Sequence, residues 1–394
     1  MANTPTTRRT FGALFGFEAI ARSGYQVGKT PVLPVFAAAL GASDALLGLI
    51  VTVSACTGLL LKPVVGAASD RTGRRPWLWA AAALFVCVPF AYGLVDSPGE
   101  LAAVRVVHGF ATALLGPVAL AAIATLSTQG LAERIGWFGM ARSLAGISGP
   151  ALGGWLLLRF DPATIYPWIG AASLGTVVPL LLVPPLPPGP PRPRRLDGLR
   201  LAASARPVYA AGGIEAALYV GTYALKTFLP VYAIRSGVNI GWVGLALAVQ
   251  EGVAMWSRPL AGHLADRWGH PRSVALGLVG LGAALAGVVL ALHTGPPTTL
   301  LGPAAAIGLS QALLLSATTA WIASTADVRD MGAALGVMGS LRNGGKVTGP
   351  LLGGLLVGAV GFPAALLLLA GLLLGAGGLG LARLRSAEDL SRSG

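Results

Sequence analysis

Twelve apolar stretches, each long enough to cross a bilayer as a helix, follow one another along this chain. They run over 11–36, 45–67, 77–95, 101–125, 136–158, 165–184, 208–234, 242–264, 273–293, 300–323, 331–358 and 363–383. Inside lipid the backbone must satisfy its own N–H and C=O groups, so such stretches fold as helices. Of 394 residues 54% are apolar and only 11% charged, whereas soluble domains carry about 25% charged residues. The expected class is an all-α membrane protein of twelve transmembrane helices in two six-helix bundles. Arg8 and Arg9 ahead of the first stretch imitate a secretory signal, but that stretch runs on through Glu18, Arg22 and Lys29 and reads as a retained first helix.

The two-bundle reading rests on a duplication. GAASDRTGRRP runs from Gly66 to Pro76, and GHLADRWGHPR from Gly262 to Arg272, with Asp70 and Asp266 separated by 196 residues. The proline- and arginine-rich run VPPLPPGPPRPRRLDGLR, Val183 to Arg200, lies between the copies; proline cannot continue a helix there, so it reads as a semi-rigid solvated linker. The expected domains are an N-terminal bundle over 1–184, a linker over 185–207 and a C-terminal bundle with a short tail over 208–394.

Net charge is +13, and its distribution explains it. With the N-terminus inside, the inside segments hold Arg71, Arg74, Arg75, Arg134, the linker's Arg192, Arg194, Arg195 and Arg200, and Arg267 and Arg272. The outside loops hold only Arg159 and Arg235. That is the positive-inside pattern, with both termini, the linker and both motif copies cytoplasmic in a multi-pass cytoplasmic (inner) membrane protein; it is not a nucleic-acid footprint. Cys56 and Cys87 lie in apolar stretches without metal-ligand spacing, and there is no nucleophile–base pair or phosphate loop. No metal, cofactor or enzyme activity is expected.

The loop motif resembles the GxxxDRxGRR signature of the major facilitator superfamily. Gly66, Asp70, Arg71, Gly73, Arg74 and Arg75 match it, while the second copy keeps Gly262, Asp266, Arg267 and Gly269 and has His270 and Pro271 in place of the double arginine. The resemblance covers Phe11 to Leu384. It implies a secondary transporter working by alternating access, with the two loops as a conformational latch; a topology signal is the plainer role. Arg105-Val-Val-His108-Gly109 is similar to the family's RxxxG motif, whose arginine is associated with proton coupling, with His108 where glutamine is usual. RSLAGISGPALGGW from Arg142 resembles the helix 5 signature of the drug:proton antiporter branch, with Gly146 one place off the usual spacing. RNGGKVTGPLLGG from Arg342 repeats its core at an offset of 200. Gly149, Pro150, Gly153, Gly349, Pro350 and Gly353 are candidate pivots, or plain close-packing residues.

Charges inside the membrane are expensive and mark function by default. At 100° per residue Glu18, Arg22, Tyr25 and Lys29 form one stripe, and Glu215, Tyr219, Thr222 and Lys226 repeat it at an offset of 197. Acid and lysine within each stripe stand eleven residues apart, about 16 Å of rise, too far to pair. Glu18 has Arg22 at i+4, whereas Glu215 has Tyr219 there and no cation. Glu251 and Arg258 share a face of the eighth helix. Proton-coupling candidates are Glu18, Glu215, Glu251, Arg105 and His108. Candidates for the substrate cavity are Arg22, Tyr25, Lys29, Tyr219, Thr222, Lys226, Arg142, Arg342 and Lys346.

Nine intramembrane cations, counting Lys62, Arg105 and Arg258, face three acids. That balance favours an anionic or zwitterionic small molecule, although several cations near helix ends can snorkel. The expected function is proton-coupled efflux by a monomer whose partners are the bilayer, protons and a small molecule. Uptake or exchange of an organic anion, and a sensor or scaffold without transport, remain open alternatives.

Overall fold

The computed structural model describes residues 5–126, 131–186, 206–325 and 331–393. The linker arginines Arg192, Arg194, Arg195 and Arg200 lie outside them. The chain separates into two compact units, Met1–Pro193 and Arg194–Gly394.

Every span is helical. In the first unit they are Pro5–Val27 with Leu33–Ala39 (span 1), Asp44–Thr72 (span 2), Arg75–Tyr92 (span 3), Pro98–Leu126 (span 4), Leu131–Leu156 (span 5) and Pro162–Ser173 with Val177–Leu181 (span 6). In the second they are Arg206–Arg235 (span 7), Ile240–Trp256 with Arg258–Trp268 (span 8), His270–Thr294 (span 9), Leu301–Thr325 (span 10), Met331–Val360 (span 11) and Phe362–Ser393 (span 12). Seven of these are apolar and long enough, taken alone, to cross a membrane: spans 2, 3, 4, 6, 9, 10 and 12. The other five hold Glu18, Arg22, Lys29, Arg142, Glu215, Lys226, Glu251, Arg258, Arg342 and Lys346. The helices that are least like lipid-spanning helices thus carry most of the intramembrane charges, Lys62 of span 2 and Arg105 of span 4 being the exceptions.

Packing repeats between the units. Span 1 lies on span 5, span 2 on span 4, and span 3 on spans 4 and 6; likewise span 7 lies on span 11, span 8 on span 10, and span 9 on spans 10 and 12. Side chains such as Leu60, Leu94 and Leu372 stand 72–82% exposed, which suits a protein whose outer solvent is hydrocarbon. Trp256 and Trp137 are also exposed, at 75% and 47%.

Three details correct the sequence reading. The charged motifs are mainly helix: span 2 runs through Asp70 to Thr72 and span 8 through Asp266 to Trp268, with no glycine or proline between each aspartate and Gly73 or Gly269. Those two glycines turn the chain at φ +85° and +82°, a conformation other residues rarely adopt. Span 8 is broken at Ser257, ahead of Arg258-Pro259, whereas span 2 passes unbroken through Lys62-Pro63. Span 1 is interrupted at Thr30, which is extended (φ −148°, ψ 119°) as the residue before Pro31 tends to be.

Candidate functional site

In the first unit the fully buried Glu18 carboxylate is clamped by two arginines. Arg22 Nη2, one turn on, and Arg142 Nε from span 5 each lie 2.9 Å from Oε1; Oε2 has no hydrogen-bond partner among the described residues. The second unit repeats the theme with different fittings. Glu215 is fully buried, Thr318 of span 10 donates to its Oε1 at 2.8 Å, and Arg342 Nε of span 11 lies 3.2 Å from Oε2. That approach is an ion pair but too poorly aligned for a hydrogen bond. Glu215 has no cation at i+4 on its own helix; its cation comes from span 11, which a single helix face cannot reveal. Acid on the first helix of each unit and arginine on the fifth therefore meet twice.

The lysines of the stripes part company. Lys226 forms an ion pair with Glu251 of span 8 and lies 5.7 Å from the Tyr223 ring centre. Lys29 sits 5.8 Å from the ring of Tyr25. Lys346 stacks at 4.4 Å over Tyr219, and Tyr219 meets Tyr223 edge-on. Arg258 and Lys346 also act electrostatically on Glu251. Thr222 is fully buried and donates to the Leu218 carbonyl of its own helix, so its hydroxyl is spent locally.

Arg105 is 2% exposed and gathers a polar cluster inside the first unit. It donates to Ser54 Oγ of span 2 and to Tyr92 OH of span 3 at 3.5 Å, and stands 5.9 Å from the Tyr25 ring centre. His108 Nδ1 bonds Tyr92 OH at 2.9 Å, while Nε2 is buried without a hydrogen-bond partner among the described residues. Tyr92 stacks on Tyr166 at 4.0 Å, and Tyr166 donates to the Gly28 carbonyl beside the break in span 1. The guanidinium thus meets hydroxyls rather than a carboxylate. Ser54, Tyr92 and Tyr166 escaped the sequence reading; a polar residue amid an apolar stretch was the only signal for Ser54. In the second unit Gln250 and Gln311, 3.4 Å apart, form a neutral amide pair between spans 8 and 10.

The motif glycines sit where helices touch. A Cβ on Gly149 would come within 2.5 Å of Gln26 Cβ, and on Gly153 within 3.0 Å of the Val27 carbonyl. On Gly349 it would meet the Val220 carbonyl at 2.8 Å, and on Gly353 the Phe228 ring at 2.9 Å. Pro150 and Pro350 are buried in the same two helices. All these contacts join span 5 to span 1, or span 11 to span 7. In the first loop motif Arg74 is 2% exposed and bridges Asp70, at 3.2 Å, to Thr125 of span 4, at 2.8 Å; Arg71 is exposed. Gly66 and Gly262 have open space around them. No group of three or more metal-ligating side chains occurs among the described residues.

The sequence pattern of the Major Facilitator Superfamily matches residues 27–297 and again 216–393. The multidrug resistance protein 1 of Bacillus subtilis (strain 168) is 23% identical over 83% of this chain and 84% of its own length. A staphyloferrin B transporter of Staphylococcus aureus (strain NCTC 8325 / PS 47) is 31% identical over 38% of this chain, and the match spans about a third (36%) of that relative. The quinolone resistance protein NorA of Staphylococcus aureus is 27% identical over 32% of this chain and 33% of its own. Among solved structures, the nucleoside transporter NupG superposes with TM-score 0.79 at 12% identity, covering 96% of this chain and 99% of that one. A bacterial homolog of the human lysosomal transporter Spinster, inward-facing and occupied, gives 0.77 at 17% identity over 98% of both. With twelve spans in place and the family pattern met along nearly the whole chain, this protein belongs to the Major Facilitator Superfamily, as a multi-pass membrane transporter and not an enzyme.

Proposed function

We propose that this transporter exports a small molecule across the cytoplasmic membrane in exchange for protons, by alternating access, with a bundle over 1–184 and a bundle over 208–394 joined by the linker 185–207. Both termini are cytoplasmic in this reading, and the working unit is the monomer. The observation that carries it is the Glu215 carboxylate: fully buried, held on one oxygen by Thr318 and on the other by a single guanidinium 3.2 Å away without an aligned hydrogen bond. A proton can take Oε2 without dismantling a bidentate clamp. The charge left on Arg342 then lacks its counter-ion, which destabilises the arrangement and favours the other conformation. Glu18, held by two arginines, and Glu251, held by Lys226, are further proton-coupling candidates. Arg105 with His108 tunes the buried cluster of the first bundle. Arg22, Tyr25, Lys29, Tyr219, Lys226 and Lys346 supply substrate contacts. Asp70 with Arg74, and the equivalent loop around Asp266, latch the cytoplasmic ends. Export draws support from the relatives named for drug resistance.

The test uses inverted vesicles with an acidified lumen and, as cargo, ethidium, a fluoroquinolone and 2-naphthoate. Wild-type protein accumulates at least one of them, and collapse of the pH gradient abolishes accumulation. Glu215→Gln lowers gradient-driven uptake at least tenfold while leaving cargo–cargo exchange in place. Full gradient-driven uptake by Glu215→Gln overturns the assignment of this carboxylate.

Uptake or exchange of an organic anion is the second reading, favoured by the surplus of cations over acids within each bundle. It predicts flux of 2-naphthoate that is indifferent to the proton gradient.

A further inference from the structure

Spans 2, 4 and 5 enclose a groove of about 540 Å³ within the first unit, in the size range of small-molecule sites. Pro117, Leu120, Ala121, Ala124 and Ile135 form its apolar wall, and its two charged side chains, Lys62 and Arg142, are both cations. Lys62 is exposed and makes no hydrogen bond, ion pair or ring contact with any described residue. It sits ten residues before the end of span 2 at Thr72, about 15 Å of rise, which exceeds the reach of a lysine side chain to that helix end. Arg142 is 42% exposed; its Nε is committed to Glu18, and its Nη2 lies 3.8 Å from the place a Cβ on Gly116 would take, in ordinary contact with that wall of the groove. Arg22, the Tyr25 phenol and Arg142 all lie within electrostatic range of Lys62. Lys62 thus stands near two arginines that already use the same carboxylate, Glu18. A surplus of positive charge in a membrane span calls for a counter-ion, and here it borders an apolar groove.

We infer that this groove is a subsite for an amphiphilic organic anion, the carboxylate, sulfonate or phosphate of the cargo lying between Lys62 and Arg142 and its apolar body against Leu120 and Ile135. The inference deepens the transporter reading by naming the class of cargo. Lys62 supplies an ammonium with no hydrogen bond or ion pair to any described residue, and Arg142 offers its terminal nitrogens while Nε stays on Glu18. In the second bundle the residue in register with Lys62, Arg258 of span 8, opens a new helix after the break at Ser257.

The probes are 2-naphthoate, 2-naphthamide and 2-naphthylmethylammonium, one ring system with negative, neutral and positive heads, titrated calorimetrically into the purified full-length protein in nanodiscs. Wild-type protein binds naphthoate tenfold or more tightly than naphthamide, the discrimination expected of a charge-assisted contact. Lys62→Gln lowers that ratio several-fold, Arg142 remaining in place, and Lys62→Arg retains most of it. Because Lys62 holds no other side chain, the glutamine variant is expected to keep the wild-type melting temperature, which is measured alongside. Equal affinity for the three probes, binding of none, or a ratio unchanged in Lys62→Gln each overturns the subsite. Proton exchange is read separately in proteoliposomes with a pH-sensitive dye. A Lys62-dependent preference for naphthoate without proton movement keeps the subsite and removes antiport, whereas proton-driven flux of a cationic probe with no such preference does the reverse.

Discussion

Glu18 and Glu215 occupy matching places in the two bundles, yet the first is gripped by two guanidiniums at 2.9 Å and the second by one at 3.2 Å. The difference originates one helical turn away, where Arg22 in span 1 corresponds to Tyr219 in span 7. Removing one member of a buried pair leaves the other charge uncompensated, and the cost is largest where no second partner exists. Arg342→Met is therefore expected to destabilise the protein by about 2 kcal/mol, below the 3–5 kcal/mol of a fully buried pair because the guanidinium is a third exposed. Arg142→Met is expected to cost less, since Arg22 remains on Glu18. Thermal melts in detergent measure both. Adding Glu215→Gln to Arg342→Met should recover most of the loss, and a double variant no more stable than Arg342→Met alone would contradict the pairing. The i+4 arginine of Glu18 was legible from spacing along one helix. The arginine of Glu215 was not, because it stands 127 residues away and reaches the carboxylate only once span 11 packs on span 7.

At the scale of the helix, the GPxxGG cores bring span 5 onto span 1 and span 11 onto span 7, and that approach is what lets Arg142 and Arg342 reach the two acids. Close contact of this kind depends on side chains that are missing. Neighbouring glycines in span 11 make a controlled comparison: a Cβ on Gly345 would fall 2.3 Å from the Ala216 carbonyl, while Gly344 faces open space. Gly345→Ala is expected to cost about 1–3 kcal/mol through overpacking, and to misplace Arg342. Gly344→Ala is expected to be neutral or to stabilise by up to about 1 kcal/mol through helix propensity. Melting temperature and gradient-driven uptake check both variants together. Equal effects of the two substitutions would show that span 11 does not pack as described. The repeated motif was visible in the chain, but its partner helix was not, since nothing in GPxxGG says which surface the glycines touch.

The whole molecule follows from a duplication read through the physics of lipid. The skewed placement of arginine predicts Arg71 and Arg267 on the cytoplasmic side and Arg159 and Arg235 on the opposite side. Single cysteines make this testable, after Cys56 and Cys87 are replaced by alanine. In intact cells an impermeant maleimide should label Arg159→Cys and Arg235→Cys and spare Arg71→Cys and Arg267→Cys until the membrane is opened; the reverse pattern would invert the topology. Twelve spans, two bundles and the charged stripes could all be determined from the sequence alone, because hydrocarbon forces helices of a set length and makes every retained charge conspicuous. Only the tertiary structure decided which cation holds which acid, that Arg105 rests among the hydroxyls of Ser54 and Tyr92, and that Lys62 is left facing a groove. Those pairings depend on contacts of a few ångströms between helices far apart in the chain, and helical periodicity says which residues share a face but not what the face meets.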